Sequence, residues 1–500
     1  MHDLIAYDAA DARERRSEWK PMAVVRNACA RPRGGVAILR LTNFVADVAV
    51  GPGSAGKEAV ESPTVNRTPA VAEFAAVQAL SKAREHERTE SPRHYPDDDL
   101  VVAHEVAAWV PEVPAYGVRC FSHTSRNRPA QIPNPAKAQE TEATNGRITI
   151  RVQEDGRVEF NDSNAGRMLP DLLHWESLID LGDSYTPSVR GAKFSPKFAG
   201  ARVLHRGPVR AAIETMWEFR EKKERVAATV TLIVDADAGW LRIHVDGVNA
   251  ARDHRLRLRV ATDVPRALVV ADAMFGPVER APVVATAEEC AMETPPATAP
   301  LHRYVSLFGA TNGATLISDG LAEYEADDRG GVAVTLLRAI GELSRADIPE
   351  RPGHAGWPMA TPESQCASAF GAELALLLHD VRSAATVARI ERAAEDVLLP
   401  LAGGTLRSAL RNPGAIHGLA LEGDGLAFSC AKESEDGQWM VLRCVNLLDA
   451  PCAGAWRLGS PVRDAHVARL DETIVEVAPT DGDRVRFTAG PRATVTVLVR

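Results

Sequence analysis

Short runs in which apolar and polar residues alternate recur along most of this 500-residue chain, separated by turns rich in glycine, asparagine and aspartate. Alternation with a period of two puts the apolar side chains on one face of a strand, which is typical of antiparallel sheets with one buried face. No βαβ repeat, GxGxxG motif or P-loop occurs in the sequence. The pattern predicts a mainly β protein built from several antiparallel β-sandwiches.

The central part of the chain carries this signal most regularly. Its predicted strands are residues 209–220, 225–235, 240–247, 254–262, 304–310, 314–319, 331–338 and 373–379. A hairpin comes before them, because Ile148, Ile150 and Val152 alternate with polar residues and the alternation returns after Asp155-Gly156. Asp-Gly supplies the positive φ of a tight hairpin turn.

One segment, residues 384–397, favours a helix instead. Its apolar residues fall on one helical face, and Pro400 follows it. Together with the turn-rich stretches, these patterns divide the chain into five predicted parts. They are a remnant of an upstream helical region (1–20), a small N-terminal β domain (21–125), a linker (126–144), a large central β-sandwich (145–400) and a C-terminal β-sandwich (401–500).

The composition limits the kinds of molecule that the chain is expected to bind. The net charge of -9 and the pI of about 5.9 argue against nucleic acid or an anionic membrane, which require a basic surface. No run of apolar residues is long enough for a transmembrane helix, and the N-terminal residues do not have the pattern of a signal peptide. The seven cysteines are scattered without a CxxC pair, which favours reduced thiols and a cytoplasmic location.

Five segments together resemble one enzyme family, the glycoside hydrolase family 38 of retaining, zinc-dependent α-mannosidases, in its C-terminal β region. The segments are NGRITIRVQEDGRVEF (145–160), GDSYTPS (182–188), ARDHRLRLRV (251–260), VTLLRAIGELSRADIPERPGHAGWPMATPESQC (334–366) and AKESEDGQWMVLRCVNLLDAPCAGAW (431–456). The resemblance extends over roughly residues 20–500. It implies a large central sandwich similar to galactose mutarotase and a role in hydrolysing α-mannosides.

In the family, the zinc ligands and the aspartate nucleophile belong to an N-terminal catalytic domain that precedes these β domains. No segment of this sequence resembles that domain. The resemblance therefore implies that the chain holds no catalytic residue, metal or other cofactor of its own, that zinc is bound by the missing domain, and that the isolated chain does not hydrolyse mannosides. A separately encoded catalytic half is one partner that would restore activity.

Two loops carry the candidate substrate-binding residues. The first contains Asp183 and Tyr185, whose carboxylate and phenol can bond to sugar hydroxyls; in the family, the matching loop brings a tyrosine towards the mannose site. The second loop contains Arg345, Arg351 and His354 as donors, and it also carries Trp357 as a flat face for a sugar ring. A buried, capping Tyr185 and interdomain packing with surface pairs Arg345–Asp347 or Arg351–Glu350 are the structural alternatives.

Other motifs favour structural roles. His244 and Asp246 share one face of a predicted strand, which is typical of a solvent-facing pair, and His2-Asp3 lies at the terminus rather than in a metal site. Glu363 and Gln365 are also interpreted as structural.

Two further functions stay open. A sugar epimerase of mutarotase-like fold needs an acid and a base in one cleft, for which Asp183, His354 or His174 are available. A stand-alone carbohydrate-binding protein predicts exposed aromatic residues over a polar groove, whereas a split enzyme predicts an apolar patch rimmed by residues 180–187 and 344–357.

Overall fold

The computed structural model describes residues 20–47, 66–89, 97–124, 131–408 and 412–500. The predicted helical remnant at 1–20, with His2 and Asp3, lies outside the described residues except for its last position. The first sheet begins with six strands. They are β1 (Lys20–Arg26), β2 (Arg33–Asp47), β3 (Ala70–Val71), β4 (Ala76–Thr89), β5 (Asp97–Val113) and β6 (Val118–Thr124).

A small five-stranded sheet follows, in the order β11-β10-β9-β8-β7. Its strands are β7 (Lys137–Gln139), β8 (Glu142–Thr144), β9 (Ile148–Val152), β10 (Val158–Asp162) and β11 (Arg167–Leu169). The predicted hairpin is confirmed, since β9 and β10 pair with Val152 opposite Val158 and Gly156 has a φ of 89°. The linker prediction for 126–144 is wrong over β7 and β8, where buried Ala138 and Ala143 are too small to give a clear apolar signal.

The central region consists of two larger sheets. Its strands are β12 (Leu173–Asp180), β13 (Val189–Ala192), β14 (Lys197–Arg206), β15 (Arg210–Glu221), β16 (Glu224–Asp235), β17 (Leu241–Asn249), β18 (His254–Ala261), β19 (Leu268–Ala271), β20 (Val278–Glu279), β21 (Ala299–Pro300), β22 (Tyr304–Phe308), β23 (Gly313–Asp319), β24 (Glu323–Ala326), β25 (Gly331–Ala339) and β26 (Ala369–His379). A short helix α1 (Ala287–Met292) follows β20, and a 3₁₀ turn (Pro362–Gln365) precedes β26.

The two sheets face each other as a sandwich. One has the order β13-β12-β18-β25-β24-β21 and the other the order β14-β15-β16-β17-β26-β23-β22-β19-β20, with antiparallel neighbours throughout. Leu258 of the six-stranded sheet, Ile243 of the nine-stranded sheet and Phe160 of the small sheet are all fully buried in one apolar core. Inward-facing apolar residues thus hold three sheets together, and the predicted mainly β, antiparallel architecture is confirmed.

Helix α2 (Ala384–Leu398) confirms the one predicted helix, with Ser383 as its N-cap and Ile390 among its buried residues. It is the longest helix of the described residues, and none of their helices is long and apolar enough to cross a membrane. The chain then returns to the first sheet as β27 (Leu401–Ser408) and β28 (Ala415–Ile416). β27 lies between β1, to which it is antiparallel, and β2, to which it is parallel. The boundary predicted at 400/401 assigns this strand to the C-terminal sandwich, whereas it completes the N-terminal sheet.

The C-terminal part packs a four-stranded sheet against a five-stranded one around buried Trp456. Its strands are β29 (Ala420–Glu422), β30 (Leu426–Glu433), β31 (Met440–Asn446), β32 (Cys452–Arg457), β33 (Ala465–Ala468), β34 (Ile474–Val477), β35 (Thr480–Asp481), β36 (Arg484–Ala489) and β37 (Thr494–Val499).

Candidate functional site

The loop that joins β12 to β13 is folded around Asp180, the last residue of β12. The buried Asp180 carboxylate accepts hydrogen bonds from the backbone N–H groups of Gly182 (2.9 Å) and Ser188 (3.0 Å), and Arg338 donates to its other oxygen at 2.6 Å. Burial favours a higher pKa for Asp180, but these hydrogen bonds outweigh it and lower the pKa. The charged carboxylate therefore fixes both ends of the loop.

Asp183 joins this loop to the segment that follows β25. Its Oδ1 accepts the backbone N–H groups of Tyr185 and Thr186, each at 2.9 Å. Its Oδ2 accepts the backbone N–H of Arg345 and a guanidinium N–H of Arg351, each at 2.7 Å. Burial would raise the pKa of Asp183, but these four donors lower it to about 2. Asp183 has no exposed surface, so it positions the loops instead of facing solvent.

Arg351 is the buried partner in this arrangement. Only 5% of its surface is exposed, and besides Asp183 its guanidinium donates to the carbonyl of Arg345 (2.9 Å) and to the hydroxyl of Thr186 (2.5 Å). Since the buried charge is paired and several of its donors are satisfied, Arg351 holds the two loops together.

Arg345 lies nearer the surface and pairs with Asp347 through two hydrogen bonds of 2.9 and 2.7 Å. This is the surface pair considered from the sequence. The other pair, between Arg351 and Glu350, is not formed, because Glu350 accepts from Arg190 at 2.6 Å.

Tyr185, His354 and Trp357 are the predicted site residues that the structure leaves exposed. Trp357 is 83% exposed and Tyr185 is 55% exposed. The Tyr185 ring lies against Gly356, where an added Cβ would come within 2.7 Å of the phenol oxygen. The turn that carries His354 and Trp357 is held by Ser344, whose Oγ accepts the backbone N–H of Gly356 at 3.1 Å. The structure therefore brings the tyrosine and this turn together on one surface.

Other large apolar residues on the neighbouring segments are also exposed. Leu181 (43% exposed) and Met359 (54%) lie on the same two loops, and Met292 (73%) lies at the end of α1. Residues after α1 reach the loops, because the Thr294 N–H donates to the Glu350 carbonyl at 2.7 Å. We call the exposed residues Leu181, Tyr185, Met292, Trp357 and Met359 the loop face.

Helix α1 is a contributor that the sequence analysis missed. It contacts the site through Glu293, which accepts a hydrogen bond from the Thr186 hydroxyl. A capping box was present in the sequence, since the Thr286 and Glu289 side chains each bond to the other's backbone N–H. Helix α1 buries none of its residues, so its sequence carries no apolar stripe beside the capping box.

His244 forms a separate polar cluster on the nine-stranded sheet. Its Nε2 is 2.6 Å from Asp246 Oδ2, and its Nδ1 is 2.6 Å from Glu373 Oε1. Hydrogen bonding to Glu373, supported by Asp246, raises the pKa of His244 to about 9 despite its partial burial. The imidazole is therefore charged and paired at neutral pH, consistent with the structural interpretation of this strand pair.

The residues considered for an epimerase do not converge. His174 lies six residues before Asp180 on β12, which corresponds to roughly 20 Å along a strand. Asp183 is buried and its oxygens are occupied by donors. An acid and a base facing one cleft are therefore not formed from Asp183, His354 and His174.

The donor residues that the structure describes do not fit a zinc site. Within the described ranges, no three histidine, cysteine, aspartate or glutamate side chains are grouped in a way that could hold a metal ion. A catalytic zinc site needs three such ligands and an open position.

Comparisons with known proteins relate this fold to one family. The sequence model for the "Glycosyl hydrolases family 38 C-terminal domain" matches residues 144–342. A curated protein from Halalkalibacterium halodurans, described as a putative mannosylglycerate hydrolase, is 27% identical over 335 residues, which are 60% of this chain and 35% of that protein.

Two solved structures from Enterococcus faecalis share the fold. One is an α-mannosidase, with a TM-score of 0.77, 17% identity and coverage of 96% of this chain and 56% of that one. The other is a protein in glycosyl hydrolase family 38, with a TM-score of 0.71, 17% identity and coverage of 94% and 58%. The chain thus spans about a third of the curated relative and rather more than half of these two structures. Residues 144–342 of this chain therefore form a domain similar to the C-terminal domain of family 38 glycosyl hydrolases.

Proposed function

We propose that this chain is the C-terminal β portion of an α-mannosidase of family 38 type, and that it works with the family's zinc-binding catalytic domain on the same or on another polypeptide. The observation that carries the proposal is the loop face, where buried ion pairs fix two loops and leave Tyr185 and Trp357 exposed among apolar residues. The relatives' descriptions as an α-mannosidase and as a putative mannosylglycerate hydrolase support an α-mannoside as the substrate.

The apolar character of the loop face supports docking of the catalytic domain there. Leu181, Met292 and Met359 are large apolar side chains that water solvates poorly, and clusters of this kind mark interaction sites. A stand-alone sugar-binding groove would instead surround its aromatic residue with polar side chains. The loop face therefore favours a contact between protein domains over an isolated lectin.

Within that contact, we assign different roles to the candidate residues. Tyr185 and Trp357 reach the shared surface, where a phenol and an indole can contact a sugar ring, and His354 adds a donor beside them. Asp183 and Arg351 position this surface from beneath, and Arg345 lies at its edge with Asp347. Cleavage of the glycosidic bond belongs to residues of the catalytic domain, so the chain by itself should not hydrolyse mannosides.

The test compares two preparations of the protein. Native protein is isolated from the source cells with an antibody against this chain, and residues 1–500 are expressed alone. Both are assayed with added zinc on 4-nitrophenyl α-D-mannopyranoside and on mannosylglycerate. We expect zinc-dependent turnover from the native preparation and none from the expressed chain. Mass spectrometry of the native preparation then shows which polypeptide carries the catalytic domain.

Two outcomes would refute the proposal. Turnover by the expressed chain alone would mean that it contains its own catalytic groups. Absence of turnover from the native preparation on every α-mannoside would exclude the activity. In an active native preparation, Tyr185→Phe and Trp357→Ala should lower kcat/KM by about tenfold each, whereas Val477→Ser, an exposed apolar residue on the C-terminal sandwich, should leave it unchanged.

A further inference from the structure

A cleft of about 530 Å³ opens where the first sheet, the nine-stranded sheet and the C-terminal end of α2 meet. Its volume falls within the range of small-molecule sites, which often form at junctions between structural units. None of its lining residues belongs to the loops that form the loop face. The cleft is therefore a separate feature of the molecule, and the proposed function does not use it.

Two tryptophans line the cleft from different structural units. Trp109 comes from β5 of the first sheet, and Trp240 precedes β17 of the nine-stranded sheet. Trp240 also packs against the apolar cluster beneath α2. Its indole Nε1 is buried and has no hydrogen-bond partner among the described residues.

The arginines of the cleft are already paired, which excludes a strongly anionic ligand. Arg210 donates to both oxygens of Asp235, at 2.7 and 2.8 Å, and Arg33 lies 2.8 Å from Asp396. Arg242 donates to the carbonyl oxygens of Asp396 and Val397 at the end of α2, at 3.0 and 3.2 Å. These guanidinium groups stabilise the junction and have no free charge to offer a phosphate or sulfate.

Two carboxylates of the cleft stay open to solvent. Asp319 of β23 and Glu373 of β26 lie directly opposite each other in neighbouring strands, and both residues are exposed. Like charges in directly opposed positions destabilise a sheet. The charge of Glu373 is paired with His244, whose Nδ1 lies 2.6 Å from Glu373 Oε1. No ion pair to Asp319 is formed within the described residues. Exposed carboxylates beside an aromatic wall are acceptors well suited to hydroxyl groups.

We propose that this cleft binds a neutral pyranoside as a second carbohydrate site. The apolar face of the sugar ring packs against tryptophan, and its hydroxyls donate to Asp319 and Glu373. The arginines of the cleft are paired and do not favour an anionic ligand, and the two tryptophans supply the flat surfaces that a sugar ring requires. The proposal does not depend on hydrolysis and is independent of the proposed function.

The test is a titration of the full chain labelled with 5-fluorotryptophan and followed by ¹⁹F NMR. The probes are methyl α-D-mannopyranoside, methyl β-D-glucopyranoside and maltose, and the tryptophan signals are assigned with single Trp→Phe variants. We expect at least one probe to shift the signals of Trp109 and Trp240 with a dissociation constant in the millimolar range, while Trp456, fully buried in the C-terminal sandwich, serves as the internal reference. Glucose 6-phosphate should bind no tighter than glucose.

Variants separate ligand contacts from folding. Trp109→Ala and Asp319→Asn should weaken binding by about tenfold, and Trp240→Phe should weaken it while preserving the packing against α2. Val477→Ser, on the C-terminal sandwich, should leave it unchanged. The proposal is overturned if no probe shifts the cleft signals at tens of millimolar, if only the Trp357 signal moves, or if Trp109→Ala and Asp319→Asn both fold normally and bind as the unmodified chain does.

Discussion

At the scale of single residues, buried charges in this protein serve to position loops. Asp183 and Arg351 are 168 positions apart in sequence and meet at 2.7 Å. Both side chains are buried, although the sequence predicted that they bind substrate. The exposed residues Tyr185 and Trp357 depend on this pair for their position, because the pair fixes the backbone beneath them.

Asp183→Ala should therefore destabilise the protein by about 3 kcal/mol, because it leaves the Arg351 charge buried without its partner. The matched control is Asp347→Ala, which removes a solvent-exposed carboxylate from Arg345 and should change stability little. The free energy of unfolding of both variants is measured in urea. A result in which the two variants are equally stable would contradict the positioning role.

Two buried histidines predict a dependence of stability on pH. Burial lowers the pKa of His254 and of His379 to about 4, whereas an unfolded histidine titrates near 6.5. Between these values the unfolded chain binds more protons than the folded one, so stability is complete above about pH 6.5 and falls as the pH drops towards 4. At about pH 4 the free energy of unfolding should be lower by about 3 kcal/mol for each histidine.

Urea denaturation between pH 7 and pH 4 measures this slope. His254→Gln should flatten it, because one of the buried histidines is removed. His174 is the control, since it lies partly exposed on β12, and its substitution by glutamine should keep the slope. An unchanged slope in His254→Gln would show that His254 does not titrate as stated.

At the scale of secondary-structure elements, the two helices differ in what they contribute to stability. Helix α2 buries seven of its residues against the sheet, whereas α1 buries none. Both begin with a side-chain cap, from Ser383 and Thr286 respectively. Both helices are capped at their N-termini, but only α2 is also stabilised by packing against a sheet.

Ser383→Ala should therefore lower the free energy of unfolding by about 1 kcal/mol, because loss of the cap weakens a helix that belongs to the core. Thr286→Ala removes an equivalent cap from α1 and should leave global unfolding almost unchanged. Thermal denaturation of both variants checks this difference. If Thr286→Ala proved as destabilising as Ser383→Ala, α1 would have to be part of the cooperative unit.

The sequence predicted most elements but not their partners. Alternation identified β15 to β18, β22, β23, β25 and β26 within a few residues, because that signal depends only on which face of each strand is buried. The short strands β7 and β8 were missed since their buried residues are alanines. α1 was missed because a cap without an apolar face is a weak signal.

At the scale of the whole molecule, the N-terminal sheet depends on a strand supplied almost 300 residues later. β27 enters between β1 and β2, where Gly403 is required because a Cβ there would lie 1.8 Å from the Val24 carbonyl oxygen. Arg33 adds an anchor through Asp396 at 2.8 Å and Asn27 at 2.9 Å. The first sheet is thereby tied to α2 and through it to the central sandwich.

Arg33→Ala should loosen this junction, because a buried guanidinium and its hydrogen bonds are lost. Amide hydrogen exchange should become faster in residues 20–47 and 97–124, while the sandwich strands at 210–249 keep their protection. Arg40→Ala is the control, as Arg40 lies on the same sheet but makes exposed pairs with Glu85 and Glu87. Equal acceleration in both variants would argue against a specific anchor.

The sequence by itself determined the mainly β class, the hairpin at Asp155-Gly156, helix α2 and the family resemblance, because each depends on local periodicity, turn chemistry or short segments. Tertiary structure alone decided that residues 401–408 complete the first sheet, that Asp183 and Arg351 are buried beneath Tyr185 and Trp357, and that Trp109 and Trp240 share one cleft. These features join residues far apart in the chain. Burial and pairing of such residues follow from how the sheets pack, which no local pattern encodes.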